Sequence, residues 1–252
     1  MAQDLFDFSG KVVLITGGSR GLGKTMALAF AERGADLIIA SRKLEACEAV
    51  ARQIRALGRH ALPIAAHVGQ WDDLERLADA AYAEFGRVDV LINNAGMSPV
   101  APSLAAVGEA LFDKIVDVNY KGPFRLSTLI GSRMCAGEGG SIINISSVGA
   151  LLPSPYFGPY AGAKAALNAV SIALAKEYAP KVRVNVISPG GFLTDVAGDW
   201  ADDPAALEGV MLQRFARPEE IVTTALYLAS DHSSFTTGAN IRVDGGCTAV
   251  KG

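Results

Sequence analysis

Tyr160 and Lys164 stand four residues apart in a segment of helical character, so they share one face. A free phenol has a pKa near 10 and is only about 0.1% ionised at neutral pH. An ammonium about 5 Å away, at an effective dielectric of about 20, is worth roughly 3 kcal/mol, or about two pKa units. The spacing therefore predicts a phenol of lowered pKa that can protonate a carbonyl oxygen or deprotonate an alcohol. Ser147 precedes Tyr160 by thirteen residues and ends the run Ile143-Asn144-Ile145-Ser146-Ser147. Its hydroxyl can hydrogen-bond the substrate oxygen, whereas Ser146 reads as a serine bonded to backbone. Asn119 falls mid-helix in Asp117-Val118-Asn119-Tyr120-Lys121, in a residue type of middling helix propensity. It is either a satisfied core amide or the holder of a proton-relaying water. Tyr and Lys at this spacing also occur as a solvated surface pair, so the surrounding elements decide.

Those elements alternate. Apolar, β-rich runs at 12–16, 36–40, 61–66, 88–93, 141–146, 182–188 and 239–243 are separated by helical segments at 21–33, 44–57, 72–85, 108–134, 159–178 and 218–230. Short apolar strands each followed by a helix imply a parallel sheet covered on both faces. Seven strands fall short of the eight units of a barrel. The expected fold is an α/β, Rossmann-like, doubly wound seven-stranded sheet in three layers, with ligands at the carboxyl ends of its strands. Punctuation by Gly and Pro is even, and the chain reads as one domain, 1–252, with a substrate lid near 190–215.

The first strand runs into Thr16-Gly17-Gly18-Ser19-Arg20-Gly21-Leu22-Gly23 and then directly into a helix. Glycines there let backbone N–H groups approach a pyrophosphate at the positive end of the helix dipole. An NAD site places a carboxylate at the end of the second strand, about 20 residues on. Here that strand ends Ile39-Ala40-Ser41-Arg42, and Asp36 lies at its other end, roughly 16 Å away. Ser41 can donate to a phosphate, and Arg42 and Arg20 can flank it, so the site is expected to prefer NADP(H), with NAD(H) possible.

Of 252 residues, 50% are hydrophobic and 19% charged, with a net charge of −3. This excludes disorder and offers no basic footprint for nucleic acid. No apolar stretch approaches the roughly 20 residues of a membrane span. Cys47, Cys135 and Cys247 are scattered and form no pair motif, which fits a reducing, cytoplasmic setting. His60, His67 and His232 show no metal-ligand spacing, and no metal is expected.

Taken together, these motifs resemble the short-chain dehydrogenase/reductase family in its compact branch, over essentially the whole chain. Thr16–Gly23 fits that branch's T-G-x-x-x-G-x-G, and Asn93-Asn94-Ala95-Gly96 its sheet-stabilising N-N-A-G. Ser147, Tyr160 and Lys164 fit its catalytic serine and Y-x-x-x-K, and Asn119 its structural, proton-relay asparagine. Pro189-Gly190 with Thr194 fits the segment meeting the nicotinamide and phosphate, and Val243-Asp244-Gly245-Gly246 the C-terminal strand and turn. One departure is His67-Val68, where an Asp is common near the adenine.

The resemblance implies hydride exchange between nicotinamide and a carbonyl carbon, with Tyr160 protonating the oxygen and Ser147 positioning it. Lys164 would lower the Tyr160 pKa and hold the nicotinamide ribose, while Asn119 with a water connects Lys164 to solvent. Cofactor contacts are expected from Gly17, Ser19, Arg20, Gly21, Leu22, Gly23, Ser41, Arg42, His67, Val68, Asn94, Ala95, Gly96, Tyr160, Lys164, Pro189, Gly190, Phe192 and Thr194. Substrate contacts are expected from Met97, Ser147, Leu152, Phe157, Tyr160, Gly191 and Trp200, in an apolar pocket for a ketone or secondary alcohol of moderate size. The Tyr160 helix is apolar almost all round between 161 and 175, so burial on several sides is expected. Relatives associate through it and the preceding helix, which implies a homotetramer or homodimer. The rivals are a 3-oxoacyl-carrier-protein reductase, which would need a basic patch at Lys121, Arg125 and Arg133, and a non-catalytic dinucleotide-binding redox sensor.

Overall fold

The computed structural model describes residues 5–194 and 204–249. Seven strands form one parallel sheet: β1 (Val12–Thr16), β2 (Asp36–Ser41), β3 (Ala61–Ala65), β4 (Val90–Asn93), β5 (Gly140–Ile145), β6 (Val182–Pro189) and β7 (Asn240–Val243). Their order is β3-β2-β1-β4-β5-β6-β7. Chain direction across the sheet reverses after β3, so β1 and β4 are neighbours that send their connections opposite ways. The crevice at their carboxyl ends is the place where such sheets bind ligands.

Alternation within the strands fixes the layers. Val13 and Ile15 enter one core with Met26, Phe30, Val50, Ile54, Ala225 and Leu228. These come from α1 (Gly21–Glu32), α2 (Leu44–Ala56) and α7 (Val222–Ala229). Val12 and Leu14 enter the other core with Leu74, Leu77, Leu126, Ile130, Leu174 and Tyr178. These belong to α3 (Trp71–Phe85), α5 (Gly122–Ala136) and α6 (Gly158–Tyr178). Period-two apolar strands buried on both faces are what a three-layer α/β/α arrangement requires. Among the described residues, no helix is long and apolar enough to cross a membrane.

Two expectations about helices need correction. The helix expected over 108–134 runs from α4 (Glu109–Val116) into α5, but its middle turn, Asp117–Lys121, is π-helical. Asn119 therefore sits in a widened turn. Nor is α6 buried on several sides within one chain. Leu167, Ser171, Leu174 and Ala175 face the core, while Gly162, Ala165, Ala169, Ile172 and Ala173 are exposed. Alanine is apolar enough to look buried in a sequence and small enough to stand in water at little cost.

Candidate active site

The carboxyl end of β5 and the first turns of α6 bring Ser147, Tyr160 and Lys164 together. Ser147 follows β5 and caps a short 3₁₀ turn, its Oγ accepting from the Gly149 N–H at 3.0 Å. Pro159 lies in the first turn of α6, where its fixed φ suits the helix. Tyr160 follows, hydrogen-bonded to Ser147, with the Phe157 ring edge-on to it at 6.2 Å between centroids. A Cβ at Gly149 would lie 3.3 Å from Ser147 Oγ and 3.6 Å from the Tyr160 ring, so a bare glycine keeps these groups close. Ser146 donates to the Lys164 carbonyl at 3.4 Å, the backbone role expected of it.

Lys164 is 3% exposed, and its Nζ donates to the Ile145 carbonyl at 2.7 Å. Nζ is 5.9 Å from the centre of the Tyr160 ring. The expected lowering of the phenol pKa is not what this arrangement gives. Burial pushes Tyr160 upward, and its hydrogen bond with Ser147 only opposes that shift. Burial also brings the Lys164 ammonium down from 10.5 to about 8. Nζ is turned to the end of β5, and both groups are desolvated, which penalises charge on each.

A pH dependence of stability follows. Below about pH 8 Lys164 is protonated in both the folded and unfolded chain, and the penalty for burying its charge is present in full. As pH rises from about 8 towards 10.5 the unfolded chain holds the proton more strongly, so folding stability rises. Relative to Lys164→Met, wild type should gain on the order of 2 kcal/mol between about pH 8 and pH 10 in denaturant titrations. A constant difference would mean the ammonium is solvated.

Asn119 is fully buried, and its amide is engaged with backbone. Oδ1 accepts from Met97 N at 3.2 Å, and Nδ2 donates to Met97 O at 2.8 Å and Ile115 O at 3.0 Å. It is thus a satisfied core amide that pins residue 97 to the π-turn. A Cβ on Gly96 would meet Asn119 Oδ1 at 3.1 Å and Lys164 Nζ at 3.6 Å, which puts the three residues side by side. Oδ1 keeps a second lone pair there.

The dinucleotide residues converge at the end of β1. Gly17 has φ of +63°, and a Cβ at Gly23 would lie 2.3 Å from the Gly17 carbonyl oxygen. Only glycine fits either place. α1 then begins with no acidic residue in its first turn and no side-chain cap, so its N–H groups remain for an anion. These features fit a pyrophosphate. Thr194 lies beside Gly21, and a groove of about 970 Å³ runs from Ser19, Arg20 and Thr194 along α1 to Glu32, Arg33 and Glu219. Asn94 ties the turn to the end of β4, its Nδ2 donating to Thr16 O at 3.0 Å and Gly17 O at 3.2 Å. Thr16 Oγ1 accepts from Asn94 N and Ala95 N, both at 3.1 Å. That threonine role was missed, and its only signal was a hydroxyl ending the strand before the glycines. Asn93 anchors β4 below, donating to Asn144 Oδ1 at 2.8 Å and Ser127 Oγ at 2.9 Å.

Around the ribose end, Arg20 and Arg42 are exposed and Ser41 is half-buried. Asp36 is held at the far end of β2 by Arg59 at 2.7 Å, away from the site as expected. His67 Nδ1 accepts from Gly69 N at 3.1 Å, and the Val68 carbonyl packs on Gly122 at the start of α5. Gly190 N donates to Val243 O at 2.9 Å, setting the 189–190 turn against β7. Phe192, expected at the cofactor, is 5% exposed and its ring joins the core with residues of α1 and α7, which leaves its main chain to meet a cofactor. Gly191 and Leu193 bond Ala216, which turns the intervening side chain inward. Ala101 N donates to Tyr156 O at 2.9 Å, which joins the loop after β4, where Met97 bonds Asn119, to the loop after β5, where Leu152 is exposed. Leu22 packs on the α1-side core. Trp200 and the 195–203 part of the expected lid lie outside the described residues.

Fold and site define a nucleotide-binding α/β oxidoreductase. Residues 17–248 match the family described as enoyl-(acyl carrier protein) reductase. The chain is 35% identical to the 3-oxoacyl-[acyl-carrier-protein] reductase of Thermotoga maritima, over 94% of this chain and 97% of that protein. It superposes with a TM-score of 0.93 on a short-chain type dehydrogenase/reductase from Mycobacterium marinum, 38% identical, covering 98% of this chain and 99% of that one. A 7α-hydroxysteroid dehydrogenase complexed with NADH and 7-oxo glycochenodeoxycholic acid matches with a TM-score of 0.91 at 31% identity, over 98% of each chain. The protein belongs to the short-chain dehydrogenase/reductase family. It is an oxidoreductase that acts on CH–OH groups.

Proposed function

We propose that this enzyme interconverts an uncharged ketone and its secondary alcohol, and that it prefers NADP(H) to NAD(H). The observation that carries the reading is the convergence of Ser147, Tyr160 and Lys164 at the carboxyl end of β5, beside the glycine turn at the end of β1. The bound nicotinamide supplies or accepts hydride. Ser147 holds the substrate oxygen by a hydrogen bond, and Tyr160 delivers the proton to it, or removes it in the reverse direction. A neutral, buried phenol is the competent form for reduction, and the raised pKa keeps it so. Lys164, held by Ile145, offers its remaining donors to the ribose hydroxyls. The open lone pair of Asn119 Oδ1 beside Gly96 is the place for a water that returns protons to Lys164.

The approach to Tyr160 supports an uncharged substrate. Residues 97–103 and 149–159 contain no Asp, Glu, Lys, Arg or His, and Leu151, Leu152 and Tyr156 are exposed there. Similarity to carrier-protein reductases favours a second reading, a 3-oxoacyl thioester on an acidic carrier. Against it, Lys121 pairs with Asp117, Arg125 with Glu75 and Arg133 with Asp79, which leaves that patch neutralised. A redox sensor without turnover has no need of the intact Ser147, Tyr160 and Lys164 set. The exposed alanine face of α6 supports self-association, as a homotetramer or homodimer.

Nicotinamide fluorescence titration tests the cofactor reading. NADPH should bind at least about tenfold more tightly than NADH, a difference of about 1.4 kcal/mol. Arg42→Ala should remove most of that advantage through NADPH alone. Tighter NADH binding that Arg42→Ala does not change would refute the 2′-phosphate assignment. Oxidation of NADPH against ketones, from small diketones to bulky cyclic ones, then sizes the pocket.

A further inference from the structure

Cys47 lies on α2 with no solvent exposure, and its thiol meets two groups. Sγ donates to the Ile64 carbonyl oxygen at 3.6 Å and lies 3.0 Å from Ser41 Oγ. Ile64 is on β3 and Ser41 ends β2, in adjacent register steps. A continuous chain of hydrogen-bonding atoms thus runs from a sheet carbonyl, through sulfur, to the hydroxyl read as facing the cofactor's adenosine ribose. Its other neighbour, the Lys43 carbonyl, is 3.5 Å away and too distant to fix the hydroxyl.

One proton on sulfur and one on oxygen allow two arrangements. With the thiol proton on Ile64, sulfur can only accept, so the Ser41 hydroxyl donates inward and shows its lone pairs to the site. With the thiol proton turned to Ser41 Oγ, the hydroxyl proton is released outward as a donor. Burial pushes the Cys47 thiol up, so it keeps its proton at neutral pH. The bond given up to Ile64 is a weak S–H donor at long distance, and the exchange needs only rotation about two side-chain torsions.

We propose that Cys47 is a positioning residue that sets the hydrogen-bond polarity of Ser41, so that one hydroxyl donates to a 2′-phosphate and accepts from a 2′-hydroxyl. This rests on the cofactor reading above, and it makes the arginines a source of preference rather than exclusion. A phosphate has only acceptor oxygens and requires the outward donor. A ribose hydroxyl is best met by an acceptor whose own proton is already bound inside. Removing the thiol strands that proton, leaving Ser41 an outward donor that suits NADPH and not NADH.

The test measures dissociation constants of NADPH and NADH by fluorescence for wild type, Cys47→Ala, Cys47→Ser and Ser41→Ala, and for Ser41→Ala combined with Cys47→Ala. In Cys47→Ala the ratio of the NADH to the NADPH constant should rise about fivefold, the size of one neutral hydrogen bond. Cys47→Ser keeps a donor and an acceptor and should restore the wild-type ratio. In the Ser41→Ala background the cysteine change should leave the ratio unmoved. Equal weakening of both cofactors by Cys47→Ala, or a shift that persists without Ser41, overturns the proposal and reduces Cys47 to packing. A wild type that prefers NADH and ignores Arg42→Ala would refute the cofactor reading instead, while the Ser41–Cys47 coupling is still read from NADH binding alone.

Discussion

Tyr160→Phe should lower kcat by about a thousandfold or more while leaving the affinity for the nicotinamide cofactor within about threefold of wild type. The substitution removes one oxygen from a ring otherwise held in place by Phe157 and by the start of α6. Positioned proton transfer contributes roughly 10²–10⁴-fold to such reactions, and Tyr160 is placed beside Ser147. The hydride transfer cannot complete when the incipient alkoxide has no proton to take. Steady-state rates paired with fluorescence titration separate the two effects. A loss of tenfold or less would move the acid to a solvent molecule held by Ser147, and a matching loss of cofactor affinity would make Tyr160 a binding residue.

Gly23→Ala should weaken cofactor binding by about a hundredfold or more. The new methyl would sit 2.3 Å from the Gly17 carbonyl oxygen and 2.4 Å from Asn94 Nδ2. The first is backbone and cannot swing away, and the second is the amide that holds the turn to β4. Relief requires the turn to open, which misaims the N–H groups at the head of α1. Gly108→Ala, where a Cβ meets nothing within 4 Å, serves as the control and should bind normally. Titration of both variants with NADPH, with thermal denaturation alongside, distinguishes a reshaped turn from general unfolding. Normal binding by Gly23→Ala would show that the turn yields cheaply.

Much of this is legible in the sequence. The strands were plain because apolar runs bounded by glycine can hardly do anything but cross a buried sheet, and the Thr16–Gly23 turn was plain because it falls between a strand and a helix. Tyr160 and Lys164 could be placed on one face by counting. Counting could not show where Lys164 Nζ would point, since the group it bonds is a main-chain carbonyl, at Ile145, which every residue carries. The pKa expectation failed for that reason. An aromatic beside a binding turn reads the same whether its ring faces ligand or core, so the burial of the Phe192 ring is not legible in the sequence. The thiol of Cys47 had no spacing signal at all: its partners are 6 and 17 residues away and meet it only once β2 and β3 pair.

The π-turn at Asp117–Lys121 bears on how this chain tolerates insertions and deletions. Ile115 before it and Met134 after it are both buried. The nineteen-residue step between them, at about 100° each in a regular α-helix, overshoots five full turns by about 100°. A single wide turn absorbs that surplus, as a leap day keeps a calendar in phase. Deleting one residue there would regularise the helix locally and swing every later side chain of α5 round its axis, carrying Leu126, Ile130 and Met134 off the sheet. The chain is thus locked to its extra residue, and the amide that pins residue 97 is lodged in the same turn.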